Sequence, residues 1–172
     1  MIKYRPEKDN DHDAIFETNQ LAFPEDNEAR LVDMLRNSES YVNGLSIVAE
    51  KDGEVLGHIL FTKLTIESPK GDFVALSLAP LAVKPNFQRQ GIGSGLIKEG
   101  IKNCKSLGYK AIVVVGHPEY YPRFGFSPAR EKGLDAPFPV PDEAFMVYEL
   151  VPGYLDNIQG MVKLAPEFDE FI

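Results

Sequence analysis

Gln88-Arg89-Gln90-Gly91-Ile92-Gly93-Ser94 is the stretch of this chain whose residue types and spacing could do chemistry. A run of apolar residues ends at Leu81-Ala82-Val83, a short loop follows, and glycines open an amphipathic helix. Gly91 and Gly93 lack a Cβ, so a bulky anion can approach the backbone closely. Unpaired N–H groups and the positive end of the helix dipole then offer a diphosphate site, and Arg89 adds a charge beside it. The same glycines could instead serve close packing of the helix on a sheet.

Two nucleotide-binding patterns fail on the residues. A Walker loop needs Gly-x-x-x-x-Gly-Lys-Ser/Thr, and no such run exists. A dinucleotide fingerprint needs a third glycine where Leu96 stands. It also needs an acidic residue about twenty positions on, where the chain reads Ala111-Ile112-Val113-Val114.

The elements that position this turn follow from periodicity. A strand at Met1 to Arg5 precedes helices after Asp9-Asn10-Asp11 and from Glu28 to Arg36. Strands at Leu45 to Glu50 and Val55 to Ile66 flank a Lys51-Asp52-Gly53-Glu54 hairpin. Phe73 to Val83 is almost continuously apolar, as a strand buried on both faces is, and Pro80 within it implies a bulge or lost pairing. The helix from Gly91 carries Ile92, Leu96, Ile97, Ile101, Cys104 and Leu107 on its apolar face, and Gly108 stops it. Ala111 to Val115 closes a strand-helix-strand crossover, so the two flanking strands are expected to run parallel. A further strand is expected at Ala144 to Leu150, then an irregular tail from Gly153. The class is α/β (α+β): a mixed, mostly antiparallel sheet flanked by helices.

Composition narrows the function. The net charge of -8 argues against a nucleic-acid partner and suits a cationic one. Cys104 is the only cysteine, so no internal disulfide forms, and its apolar stripe suits packing over nucleophilic chemistry. With no signal core and no membrane-length apolar run, a cytoplasmic protein is expected.

Gln88, Gly91 and Gly93 match in place the Gln/Arg-x-x-Gly-x-Gly/Ala element of the GNAT acyltransferases. Tyr121-x-x-x-Gly125-Phe126 is similar to that superfamily's Tyr-x-x-x-Gly-Phe element, in the same order along the chain. The resemblance runs from Met1 to about Leu150, and Gly116-His117-Pro118-Glu119-Tyr120-Tyr121 resembles the YhbS-type branch. It implies one acyltransferase domain spanning residues 1–172, with a splayed parallel strand pair that holds acyl-CoA. It implies acetyl-CoA as co-substrate, a primary amine on a small molecule or peptide as acceptor, and no metal; a homodimer is compatible with such folds.

By the same resemblance the backbone of Leu81, Ala82 and Val83 holds the pantetheine arm, and Gln88 through Ser94, Arg89, Gln90 and Ile92 included, holds the diphosphate. Tyr121 protonates the departing thiolate, with Tyr120 as its neighbouring competitor. The base is left open among water, Glu28 and His117, since Leu76-Ser77-Leu78-Ala79 carries no carboxylate. His58, Glu25 and Asp26 read as structural or solvated. The alternative function is a domain that binds acyl-CoA without turnover.

Overall fold

The computed structural model describes residues 1–171. Nine strands and three α-helices follow in the order β1 (Lys3–Pro6), α1 (His12–Ala22), α2 (Asn27–Arg36), β2 (Tyr41–Lys51), β3 (Glu54–Ser68), β4 (Gly71–Val83), α3 (Ile92–Ser106), β5 (Ala111–Val115), β6 (Ser127–Pro128), β7 (Leu134–Asp135), β8 (Phe145–Glu149) and β9 (Gly160–Lys163). Pairing is mostly antiparallel, with parallel pairs at β4–β5 and β7–β9. No helix among the described residues is long and apolar enough to cross a membrane.

The chain divides into two compact units, to both of which β3 and β4 contribute. The first contains residues 1–62, 79–103 and the segment from Pro166. Here β1 pairs with β2 and β2 with β3, through the Asp52-Gly53 turn. Both turn residues are left-handed, with φ of 52° and 82°, as a tight hairpin of this twist requires.

Successive strand residues face opposite sides, and β3 shows it at one step. A Cβ on Gly57 would stand 3.0 Å from Leu96 and 3.1 Å from Ile92, so α3 lies on that face. The His58 ring lies on the other, against Asn19 of α1. On α1, Ile15, Thr18 and Asn19 are buried at the i, i+3, i+4 spacing of one helix face. On α2 the buried set is Ala29, Leu31, Val32 and Leu35.

Beneath α1 runs a buried polar chain. Asn19 Nδ2 donates to the Ile15 carbonyl at 3.0 Å and meets His58 Nδ1 at 3.2 Å. That assigns Nδ1 as acceptor and leaves Nε2–H to donate to Ser46 Oγ at 2.8 Å. The Ser46 hydroxyl donates in turn to Glu7, whose carboxylate also takes Arg36 Nε at 2.8 Å.

Burial pushes His58 down to about 3, helped by Arg36 and opposed by Glu7. Burial alone would push the Glu7 carboxyl up, but Arg36 and Ser46 bind its charged form and hold it below the ordinary range. The unfolded chain therefore takes up a proton at His58 near pH 6.5 that the folded protein refuses down to about 3. Stability should fall by up to about 1.4 kcal/mol per pH unit from this group as pH drops below 6.5. Glu7 adds to the loss only below its unfolded value near 4.5. Melting between pH 7 and 4.5 should show this slope in the wild type, and a His58→Gln variant should show a smaller one. An unchanged slope would remove His58 as its source.

The second unit contains residues 63–78 and 104–165. β5 pairs with β4 on one side and β8 on the other, and β6 joins β8. β9 pairs with the end of β3 and with β7. Its core includes Leu64, Ile66, Ala111, Val113, Phe145 and Val147. Leu155, Ile158 and Val162 join that core, so the segment expected to be irregular supplies a strand and three core side chains.

The parallel pairing of β4 with β5 is Leu76↔Ile112 and Ser77↔Val113. β4 continues to Val83 beyond that register, through a cis Ala79–Pro80 peptide bond. α3 ends at Ser106, and the Gly108 N–H (φ 87°) bonds to Lys105 while Tyr109 bonds back to Cys104. These two bonds form a Schellman cap. Leu107 falls in that cap and is half exposed, not part of the apolar face.

Candidate active site

The glycine turn lies in the first unit and is built from the end of β4. The Lys84 N–H bonds to the Leu56 carbonyl of β3 at 2.9 Å. The Val83 carbonyl accepts Gln88 Nε2 at 3.0 Å. In an extended strand the N–H and C=O of one residue point to the same side and those of its neighbour to the other. The Val83 N–H therefore faces away from β3. A 3-10 turn at Pro85–Phe87 follows, closed by the Phe87 N–H on the Lys84 carbonyl at 2.9 Å.

Arg89 and Gly91 then adopt left-handed backbone, with φ of 63° and 85°. For Arg89 this costs roughly 1–2 kcal/mol, the kind of strain that ordered sites retain. Left-handed residues in a turn direct successive peptide N–H groups into a concave anion cradle. The Gly95 N–H bonds to the Gly91 carbonyl at 3.0 Å. The amides of Ile92 and Gly93 lie ahead of it, at the positive end of the helix. Gln88 through Gly91 are exposed.

The glycines divide by task. A Cβ on Gly91 would meet nothing within 4 Å, so Gly91 is there for its backbone conformation. A Cβ on Gly95 would stand 2.1 Å from the Tyr4 hydroxyl, and one on Gly100 2.3 Å from the Phe61 ring. These two let α3 approach the sheet. Packing and an open helix start, rivals as explanations of the motif, each hold at different residues.

The tyrosine element lies in the second unit. Tyr121 opens a 3-10 turn, Tyr121–Phe124, after β5, and the His117 carbonyl accepts the Tyr120 N–H at 3.1 Å. Gly125, with φ of 104°, turns the chain so that Phe126 meets the Tyr121 ring edge-on at 5.7 Å. Tyr120 meets its other side at 5.2 Å. A Cβ on Gly116 would stand 2.4 Å from the Tyr121 ring, so the end of β5 makes room for it. Sequence reasoning passed over Gly116; the signal was a glycine standing where β5 gives way to the His117-Pro118 turn. Burial, with a smaller push from Tyr120, raises the Tyr121 phenol to about 12. It holds its proton throughout the physiological range.

Among the other candidates, Glu28 is half-buried in the first turn of α2, and the His117 side chain is exposed. Glu25 and Asp26 are exposed, with Glu25 accepting Asn27 Nδ2 at 3.2 Å. His58 belongs to the buried chain under α1. Cys104 is fully buried, which pushes its thiol up to about 12 and leaves it no nucleophilic role near neutrality.

The family model of the acetyltransferase (GNAT) domain matches residues 3–129. The chain is 42% identical over 130 residues to the uncharacterised N-acetyltransferase YjhQ of Escherichia coli K12, covering 75% of this chain and 72% of that one. It is 32% identical over 150 residues to the uncharacterised N-acetyltransferase YhbS of the same strain, covering 87% and 88%. The crystal structure of E. coli YhbS in complex with CoA superposes with a TM-score of 0.92 at 31% identity, over 99% of this chain and 93% of that one. A GNAT family acetyltransferase from Brucella melitensis in complex with acetyl-CoA superposes with a TM-score of 0.80 at 30% identity, over 98% and 99%. The motifs at Gln88 and Tyr121, the fold and these relatives agree: the chain belongs to the GNAT acetyltransferase family, in its YhbS-type branch.

Proposed function

We propose that the chain transfers the acetyl group of acetyl-CoA to a primary amine by direct attack, residues 1–172 acting as one acyltransferase domain. The observation that carries the reading is the exposed left-handed turn at Arg89 and Gly91 opening α3, a cradle suited to a diphosphate. The relatives solved with CoA and acetyl-CoA support the choice of cofactor.

In this reading the amides from Gln88 to Ser94, with Arg89, hold the diphosphate. Leu81, Ala82 and Val83 present the end of β4 to the pantetheine arm, and the Val83 N–H, turned away from β3, is the donor for the thioester oxygen. The neutral amine attacks the thioester carbon with its lone pair, forming the new C–N bond. Negative charge collects on the carbonyl oxygen, where a positioned N–H stabilises it. Collapse breaks the C–S bond, and Tyr121 gives its proton to the leaving thiolate. The amine proton leaves through water, with Glu28 and His117 as candidate acceptors. The loop from Phe23 and the start of α2 shape the acceptor pocket.

The absence of a carboxylate along Leu76-Ser77-Leu78-Ala79 favours a second reading, binding without turnover. CoA release from acetyl-CoA with a panel of primary amines separates the two. Transfer predicts release above the hydrolysis rate with at least one amine. Tight acetyl-CoA binding without amine-dependent release would leave the binding module.

A further inference from the structure

The glycine that follows β5 has a backbone that does not call for glycine. Gly116 lies outside the left-handed region, unlike Gly125 of the same unit, so an alanine could adopt its conformation. Its N–H donates to the Ala144 carbonyl at 2.9 Å, one residue beyond the last β5–β8 pair, Val115↔Phe145. Sheet pairing therefore still holds Gly116 in place. The missing side chain leaves room for one neighbour. A Cβ would stand 2.4 Å from Cε2, 3.1 Å from Cδ2 and 3.4 Å from Cζ of Tyr121, and these are its three nearest atoms. That ring edge ends at the carbon bearing the hydroxyl.

The ring has little freedom elsewhere. Tyr120 and Phe126 meet it edge-on at 5.2 and 5.7 Å, and Phe126 meets Tyr148 in turn at 5.5 Å. The turn holds its backbone, with the Tyr121 N–H on the His117 carbonyl at 3.4 Å and the Gly125 N–H on the Pro122 carbonyl at 3.1 Å. The aromatic neighbours are side chains and can yield, whereas Gly116 is backbone pinned to β8. Carbon atoms in contact sit about 3.5–4.0 Å apart. A methyl group at Gly116 would therefore push the ring edge by about 1 Å.

We infer that Gly116 is a positioning residue for acetyl transfer: its bare Cα fixes where the Tyr121 hydroxyl stands. Any side chain there moves the proton donor out of place while leaving the hydroxyl intact. Proton transfer needs donor and acceptor within hydrogen-bond reach, and a misplacement of about 1 Å can cost about 100-fold in rate. This role rests on the transfer reading, with Tyr121 as the acid. The geometry behind it lies wholly in the second unit.

The test is a cycle of wild type, Gly116→Ala, Tyr121→Phe and the double variant. It reads kcat for CoA release from acetyl-CoA with 1,4-diaminobutane, phenethylamine or glycinamide as acceptor, and acetyl-CoA affinity by calorimetry. Gly116→Ala should lower kcat at least about tenfold and leave acetyl-CoA affinity within about twofold. On the Tyr121→Phe background it should lower kcat by less than about twofold, because the hydroxyl it displaces is already gone. A crystal structure of Gly116→Ala should show β5 in place and the Tyr121 ring moved by about 1 Å. A full rate in Gly116→Ala, an equal loss on both backgrounds, or an unmoved ring would each overturn the inference. If Gly116→Ala does not fold, combining it with Phe126→Leu gives the displaced ring space. That protein should still turn over at least about tenfold more slowly than Phe126→Leu alone, and equal rates would overturn the inference. Loss of rate in Tyr121→Phe with a full rate in Gly116→Ala sinks this inference and spares the acid. A full rate in Tyr121→Phe removes the acid and this inference with it. No release by the wild type with any of the three amines removes the transfer reading as well.

Discussion

Tyr121→Phe is expected to lower kcat about 100-fold while leaving acetyl-CoA affinity within about twofold, because a positioned proton donor is worth about 10²–10⁴ in rate. The substitution removes one hydroxyl and keeps the ring that Tyr120 and Phe126 hold edge-on, so the fold should be unaffected. Steady-state kinetics beside calorimetry separate the two effects. Unchanged kcat would remove Tyr121 as the acid and turn attention to Tyr120.

The pH profile adds a second check. With the phenol raised to about 12, its ionisation should produce no alkaline fall in kcat below about pH 11. A phenol this weak would protonate an ordinary thiolate, near 8.5, only uphill. Burial that raises the phenol also raises a thiolate beside it, narrowing that gap. The step should therefore depend on a dry site.

The second large effect concerns charge at the cradle. Gly91→Asp should weaken acetyl-CoA binding about 100-fold, whereas Gly91→Asn should weaken it less than tenfold. Both side chains tolerate left-handed backbone better than most, and a Cβ at this position meets nothing within 4 Å. The two variants should therefore fold alike and differ by one charge. A carboxylate about 5 Å from a diphosphate costs on the order of 3 kcal/mol at the intermediate dielectric of a protein surface. Added salt should narrow the difference between the variants. Equal affinities for Asn and Asp would mean that no anion binds there.

The parts of the fold that the sequence made legible are those written in long, regular patterns. The α3 stripe, the β5 run of β-branched residues and the Asp52-Gly53 turn each announce one geometry, and each is present. Where the chain breaks its own period, reading fails. β2 begins at Tyr41 rather than Leu45, because Gly44 (φ 93°) and a register shift between Tyr41 and Ser46 interrupt the alternation. Leu107 continues the helical stripe in sequence, but the Gly108 cap has already ended the helix.

β6, β7 and β9 are two to four residues long, too short for any period to show, so the tail looked irregular. The candidate site divides the same way. The backbone of the glycine turn and the Tyr121 to Phe126 element were legible because each is written in a local spacing. Gly116 was not, since its significance lies in the Tyr121 ring that stands beside it in space.

The most direct test is calorimetric titration of the purified protein with acetyl-CoA and, separately, with S-acetylpantetheine, which carries the same thioester without the diphosphate. One acetyl-CoA per chain is expected, with an affinity for the fragment at least 100-fold weaker. Equal affinity for both would contradict the role of the Gln88 to Ser94 turn, and no binding of acetyl-CoA would contradict the transfer reaction itself.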